Sequence, residues 1–124
     1  MDKRSILVVD DELLIRDLLY DFFTGQGWDI SVAEDGERAL ELIRAKSFDL
    51  VLSDIKMPEM DGLALTGHLK QSDPDLPVVL MTGYPSVESA VEALRKKVDD
   101  YVIKPFNINQ LYKLVEAKVG QARK

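Results

Sequence analysis

Short apolar runs alternate along the chain with segments whose apolar residues recur every three or four positions. Ile6-Leu7-Val8-Val9, closed by Asp10 and Asp11, reads as a strand buried on both faces. From Glu12 to Thr24, residues Leu14, Ile15, Leu18, Leu19, Phe22 and Phe23 follow helical spacing, and Gly25-Gln26-Gly27 supplies residues able to take left-handed dihedrals at the helix end. The pair then recurs. Strands are predicted over Trp28 to Ala33, Asp49 to Ser53, Pro77 to Met81 and Tyr101 to Ile103. Helices are predicted over Glu37 to Ala45, Asp61 to Lys70, Ser86 to Lys97, and Asn107 to about Val119.

Five strands alternating with five helices need crossover connections, and crossovers of this length imply a mainly parallel sheet covered on both faces, a doubly wound α/β sandwich. In such sheets the functional crevice lies outside the carboxyl ends of the strands. Asp10 and Asp11 follow the first strand, Asp54 the third, Thr82 the fourth and Lys104 the fifth, so all of them arrive at one edge. Each has an ordinary reading taken alone. Asp10-Asp11 is the N-cap region of a helix, Asp54 a turn residue before Lys56-Met57-Pro58, Thr82 a loop hydroxyl, and Lys104 a solvated charge. Their joint placement at consecutive strand ends outweighs these separate readings. Carboxylates crowded in this way repel one another unless a cation intervenes, and hard oxygen ligands without Cys or His select Mg²⁺ or Mn²⁺.

Composition narrows the classes further. The 124 residues amount to one domain, and with 46% hydrophobic and 31% charged residues the chain buries a real core. A net charge of −6, from 16 Lys and Arg against 22 Asp and Glu, argues against direct nucleic-acid binding. Cysteine is absent, which excludes disulfides, Cys-ligated zinc and thiol catalysis and fits a reducing compartment. No apolar run approaches a membrane span, and the charged start Met1-Asp2-Lys3-Arg4 leads into a run too short for a signal peptide, so the expected location is cytoplasmic.

The stretches Val8-Val9-Asp10-Asp11-Glu12, Ser53-Asp54-Ile55-Lys56-Met57-Pro58-Glu59-Met60-Asp61-Gly62, Met81-Thr82-Gly83-Tyr84 and Asp100-Tyr101-Val102-Ile103-Lys104-Pro105-Phe106 carry a resemblance over essentially the whole chain. It resembles the receiver domain of bacterial two-component response regulators. The resemblance implies a flavodoxin-like sheet of strand order 2-1-3-4-5 with five helices, and a single receiver domain over residues 1–124 with no output domain in this chain. It also implies that Asp54 is the phosphoacceptor. Asp11, Asp54 and the Lys56 backbone carbonyl would be direct Mg²⁺ ligands, Asp10 would act through a metal-bound water, and Thr82 and Lys104 would contact the phosphoryl group. Pro105 would follow Lys104 across a cis bond. Tyr101 would swing toward Thr82 on phosphorylation, altering the face made by the fourth helix, fifth strand and fifth helix, through which a homodimer or a partner would form. Lys56 and Tyr84 stand where relatives tune the hydrolytic water, and their bulk predicts a long-lived phosphoryl group. The implied partners are a sensor histidine kinase or histidine phosphotransfer protein and a downstream output domain or protein. By the same resemblance the chain is no enzyme beyond its own Mg²⁺-dependent phosphorylation and dephosphorylation. The stretch Met81 to Ala90 is similar to receivers of nitrogen-regulation-type activators.

One departure stands out. Lys97-Val98 replaces the Gly-Ala common in relatives, and because a left-handed cap costs a non-glycine residue about 1 kcal/mol or more, the loop is expected to take another path. Glu12, Glu59 and Asp61 read as solvated loop charges, His68 as a surface or partly packed side chain on the third helix, and Trp28 as packing. Two other functions remain open on the residues alone. One is a Mg²⁺-dependent phosphohydrolase with an aspartyl-phosphate intermediate, although Asp10-Asp11-Glu12-Leu13 lacks the spacing of the haloacid dehalogenase type. The other is a non-phosphorylated protein-binding module that keeps the fold.

Overall fold

A computed structural model describes residues 3–122; Met1 and Asp2 of the charged start, with Arg123 and Lys124, lie outside the described residues. Its elements run β1 (Ser5–Val9), α1 (Leu13–Gly25), β2 (Asp29–Ala33), α2 (Gly36–Ala45), β3 (Leu50–Asp54), α3 (Gly62–Ser72), β4 (Val78–Thr82), α4 (Val87–Arg95), β5 (Asp100–Ile103) and α5 (Ile108–Ala122). All neighbouring strands pair in parallel, in the order β2-β1-β3-β4-β5.

The alternation of side chains across a strand divides the core in two. Ile6 and Val8 of β1 pack with Leu19 and Phe23 of α1 and Leu111, Val115 and Val119 of α5. Leu7 and Val9 point the other way, toward Ala39 of α2, Leu65 and Leu69 of α3, and Ala93 of α4. Trp28 packs as expected: it is buried and donates its indole N–H to the Tyr112 hydroxyl at 3.0 Å.

The two edges of the sheet are built differently. Where the strands start, carboxylates close the backbone: Asp49 accepts from the Ser5 N–H at 2.7 Å, and Asp99 from the Val78 N–H at 2.7 Å and the Lys70 ammonium at 2.9 Å. Where the strands end, polar side chains converge. Strand β3 runs two residues past its apolar stretch, through Ser53 to Asp54, and β4 one, to Thr82, so Asp54 and Thr82 are the last residues of their strands.

Helix α4 ends on a left-handed Lys97, φ 65°, and the expectation of a different path is therefore wrong. Two hydrogen bonds explain the geometry. The Val98 N–H reaches the Ala93 carbonyl and the Lys97 N–H the Leu94 carbonyl, both at 3.1 Å, which is the pairing of a Schellman cap. Val98 packs into the same core cluster as Ala93, and that contact together with the two bonds offsets the strain on Lys97.

Candidate functional site

The β1–α1 turn sets the floor of the pocket. Asp10 is fully buried, and its carboxylate accepts from the Glu12 N–H at 2.9 Å, so it turns the chain locally instead of capping α1. The helix itself begins after Glu12, which makes no side-chain cap. Beside Asp10 lies Asp54, 6% exposed at the end of β3. Gly62, the first residue of α3, donates to the Ile55 carbonyl at 2.7 Å and sits so close to the Asp54 backbone that a Cβ there would collide with it. Asp61 caps the same helix by accepting from the Ala64 N–H at 2.8 Å, a more definite role than a solvated loop charge.

Lys104 comes in from the end of β5, and its bond to Pro105 is cis. Its ammonium donates to Asp10 at 2.7 Å, and it stands 3.3 Å from Glu12 and 3.5 Å from Asp54. Burial pushes the Asp54 carboxyl up to about 6, and the Asp10 charge adds to the rise while Lys104 opposes it. Burial alone would pull the Lys104 ammonium down, but the hydrogen bond and charge of Asp10 raise it above its ordinary value. The pocket therefore holds a fixed cation beside a carboxylate whose negative charge is penalised.

Carboxylate oxygens of Asp10, Glu12 and Asp54 all lie within 4.8 Å of one another. A cavity of about 660 Å³ opens above them, lined by Asp11, Glu12, Asp54, Lys56, Tyr84 and Lys104 among others. Crowded hard oxygens of this kind fit a small divalent cation such as Mg²⁺. At the rim the Lys56 ammonium lies 5.5 Å from the centre of the Tyr84 ring, a cation–π contact across the mouth.

A family model for the response regulator receiver domain matches residues 6–116. This chain belongs to that family. It is 44% identical over 115 residues to the transcriptional regulatory protein ZraR of Escherichia coli (strain K12), a match covering 93% of this chain and 26% of that protein. The chain spans about a quarter of the length of the curated relatives it matches. Among solved structures, a CheY-like receiver domain protein from Methanospirillum hungatei JF-1 superposes with a TM-score of 0.95 at 30% identity over 98% of both chains. The response regulator TrrA from Thermotoga maritima, solved in complex with Mg²⁺ and BeF, gives a TM-score of 0.84 at 36% identity over 93% of this chain and 98% of that one.

The receiver domain brings Asp10, Asp54 and Lys104 into direct company and keeps Asp11, exposed, at the wall of the same cavity. Thr82 is buried at the end of β4, where its hydroxyl accepts from the Tyr84 N–H at 3.0 Å. Tyr101 is half-buried on β5, and its hydroxyl meets Ser89 of α4 at 2.7 Å and not Thr82. His68 is exposed on α3, apart from the pocket of the receiver. Glu12, expected from the sequence to be a solvated loop charge, stays largely exposed but brings its carboxylate to 3.3 Å from the Lys104 ammonium. The only signal for it was a third acid in the Asp10-Asp11-Glu12 run, with nothing to show that its side chain turns back toward Lys104.

Proposed function

We propose that Asp54 of this receiver domain accepts a phosphoryl group from a histidine kinase or a histidine phosphotransfer protein. The carrying observation is the setting of Asp54: buried at a strand end, open to a cavity on one side, and flanked by a fixed ammonium and a second carboxylate. An Asp54 carboxylate oxygen attacks phosphorus in line. The P–N bond of the phosphohistidine breaks, and its electron pair leaves with the imidazole, which takes up a proton.

Asp11, Asp54 and the Lys56 carbonyl are the proposed direct ligands of Mg²⁺, with Asp10 acting through water and Glu12 near by. Mg²⁺ bound there supplies the positive charge that lets a carboxylate approach an anionic phosphoryl group. Lys104 turns from Asp10 to a phosphoryl oxygen, and Thr82 gives up the Tyr84 amide to do the same. The ring of Tyr101 responds, and the face of α4, β5 and α5 changes for an output domain, a partner protein or a second copy. The receiver acts as the input unit of a cytoplasmic regulator and is no enzyme beyond turning over its own phosphoryl group. Among the described residues no helix is long and apolar enough to cross a membrane.

Treatment with acetyl phosphate and Mg²⁺ tests the reading by intact mass. A single phosphoryl adduct is expected on the parent, none on Asp54→Ala, and none in excess EDTA; an adduct that survives either control would falsify the assignment.

A further inference from the structure

The segment from Thr82 to Ser89 holds both halves of the proposed switch in its hydrogen bonds. Thr82 Oγ1 accepts from the Tyr84 N–H at 3.0 Å and so shapes the loop that leads into α4. Ser86 and Ser89 then form a reciprocal capping box, in which the Ser89 N–H donates to Ser86 Oγ at 3.0 Å and the Ser86 N–H to Ser89 Oγ at 3.3 Å. Ser89 Oγ can place its own proton on the Ser86 carbonyl at 3.2 Å, which leaves the Tyr101 hydroxyl as the donor in the 2.7 Å contact between them. A hydroxyl on the first turn of α4 thus fixes the one aromatic ring of β5.

The helix that carries this contact is lightly anchored. Of its nine residues only Ala93 is buried, while Val87 and Leu94 are largely exposed. A cavity of about 580 Å³ separates it from the loop after β3, lined by Ile55, Met57, Leu63, Ser86 and Ser89 among others. With so little burial, the position of α4 depends on its two ends: the Schellman cap at Lys97 and the hydrogen bonds at Ser86 and Ser89.

We propose that Ser89 is a positioning residue of the switch: its hydroxyl latches Tyr101 to the first turn of α4, and capture of Thr82 by a phosphoryl group on Asp54 opens the latch. The proposal rests on the Asp54 reading given above. In the arrangement observed, Thr82 is committed to the Tyr84 amide and Lys104 to Asp10. Lys104 leaves Asp10 to reach a phosphoryl group, and the Thr82 hydroxyl, which accepts in this arrangement, turns to donate its own proton there and carries its oxygen away from the Tyr84 N–H. The Tyr84 N–H then loses its acceptor, the turn through Gly83 to Pro85 relaxes, and the Ser86–Ser89 box shifts with it. A bond made in only one of two arrangements holds the equilibrium toward that arrangement and lowers the apparent affinity of any ligand of the other.

Tyr101→Phe is the sharp variant, because it removes the hydroxyl and leaves the capping box whole. Beryllofluoride with saturating Mg²⁺, titrated calorimetrically against the parent, Tyr101→Phe, Ser89→Ala and the double variant, forms the cycle. Loss of one net hydrogen bond from the latched form predicts beryllofluoride binding about 2- to 10-fold tighter in Tyr101→Phe, with Ser89→Ala adding little once that hydroxyl is gone. Equal or weaker binding by Tyr101→Phe overturns the latch, as does a Ser89→Ala effect of full size in the Tyr101→Phe background, which marks a capping role alone. The same cycle on urea unfolding of the free protein reads the bond directly, and strict additivity there also overturns it. A parent that fails to bind beryllofluoride overturns the Asp54 reading, whereas a parent that binds with unchanged variants overturns only the latch.

Discussion

Asp54 carries a negative charge in surroundings that penalise it. Its folded value of about 6 stands above the 3.8 of a free aspartate, so between those two pH values the folded chain binds more protons than the unfolded one. The penalty is absent below about pH 4, grows as pH rises and is complete above about pH 6, where it reaches at most about 3 kcal/mol. Asp54→Asn is therefore expected to stabilise the metal-free protein by about 1–3 kcal/mol at pH 7, with a gain that shrinks toward zero as pH falls through that window. Urea unfolding at a series of pH values reads it, and a gain independent of pH contradicts it. At the rim, where the Lys56 ammonium lies 5.5 Å from the centre of the Tyr84 ring, we propose that this contact narrows the approach of an in-line water. Both side chains also reach solvent, so the shielding is a matter of their mutual contact. Lys56→Asn and Tyr84→Ala should each speed loss of the phosphoryl group about 3- to 10-fold at fixed Mg²⁺ once the donor is removed. Decay unchanged in both variants rejects the shielding and leaves Asp54 as the acceptor.

At the scale of elements, the left-handed Lys97 stores strain that a glycine would relieve. The αL penalty of about 1–2 kcal/mol exceeds the extra chain entropy glycine brings to the unfolded state, so Lys97→Gly should stabilise by about 0.5–1 kcal/mol. Thermal unfolding decides: a lower midpoint means that the Lys97 side chain contributes more than its backbone costs. Lys97 also shows where the sequence stops being informative. A lysine in a left-handed cap looks like any solvated lysine, and the partner that makes the cap worthwhile, the Val98 contact with Ala93, is tertiary. The buried strands were legible because runs such as Ile6 to Val9 and Val78 to Met81 have no polar residue to place. Their last residues were not, since polar Asp54 and Thr82 break the apolar pattern while still belonging to the strands. The strand-end cluster could be read because a parallel sheet delivers every such residue to one edge. The direction of Glu12 and the bond between Ser89 and Tyr101 could not, because each depends on the side-chain path of an ordinary residue meeting a distant one.

For the whole molecule, the exposed apolar residues Val87 and Leu94 of α4 and Ile103 of β5 mark the face proposed to carry the signal. Beryllofluoride with Mg²⁺ should change self-association through that face. Sedimentation velocity with and without beryllofluoride tests it; an unchanged mass removes the homodimer and leaves binding to a partner, and unchanged amide exchange across α4 and β5 removes both. Everything beyond the pocket depends on which carboxylate takes the phosphoryl group. Borohydride reduction of the protein after treatment with acetyl phosphate converts a phosphorylated aspartate to homoserine, and peptide mass mapping then locates it. Homoserine at position 54, formed with Mg²⁺ and not in EDTA, is the predicted result; homoserine at position 10 or 11, or none at 54 when an intact-mass adduct is present, would contradict the account.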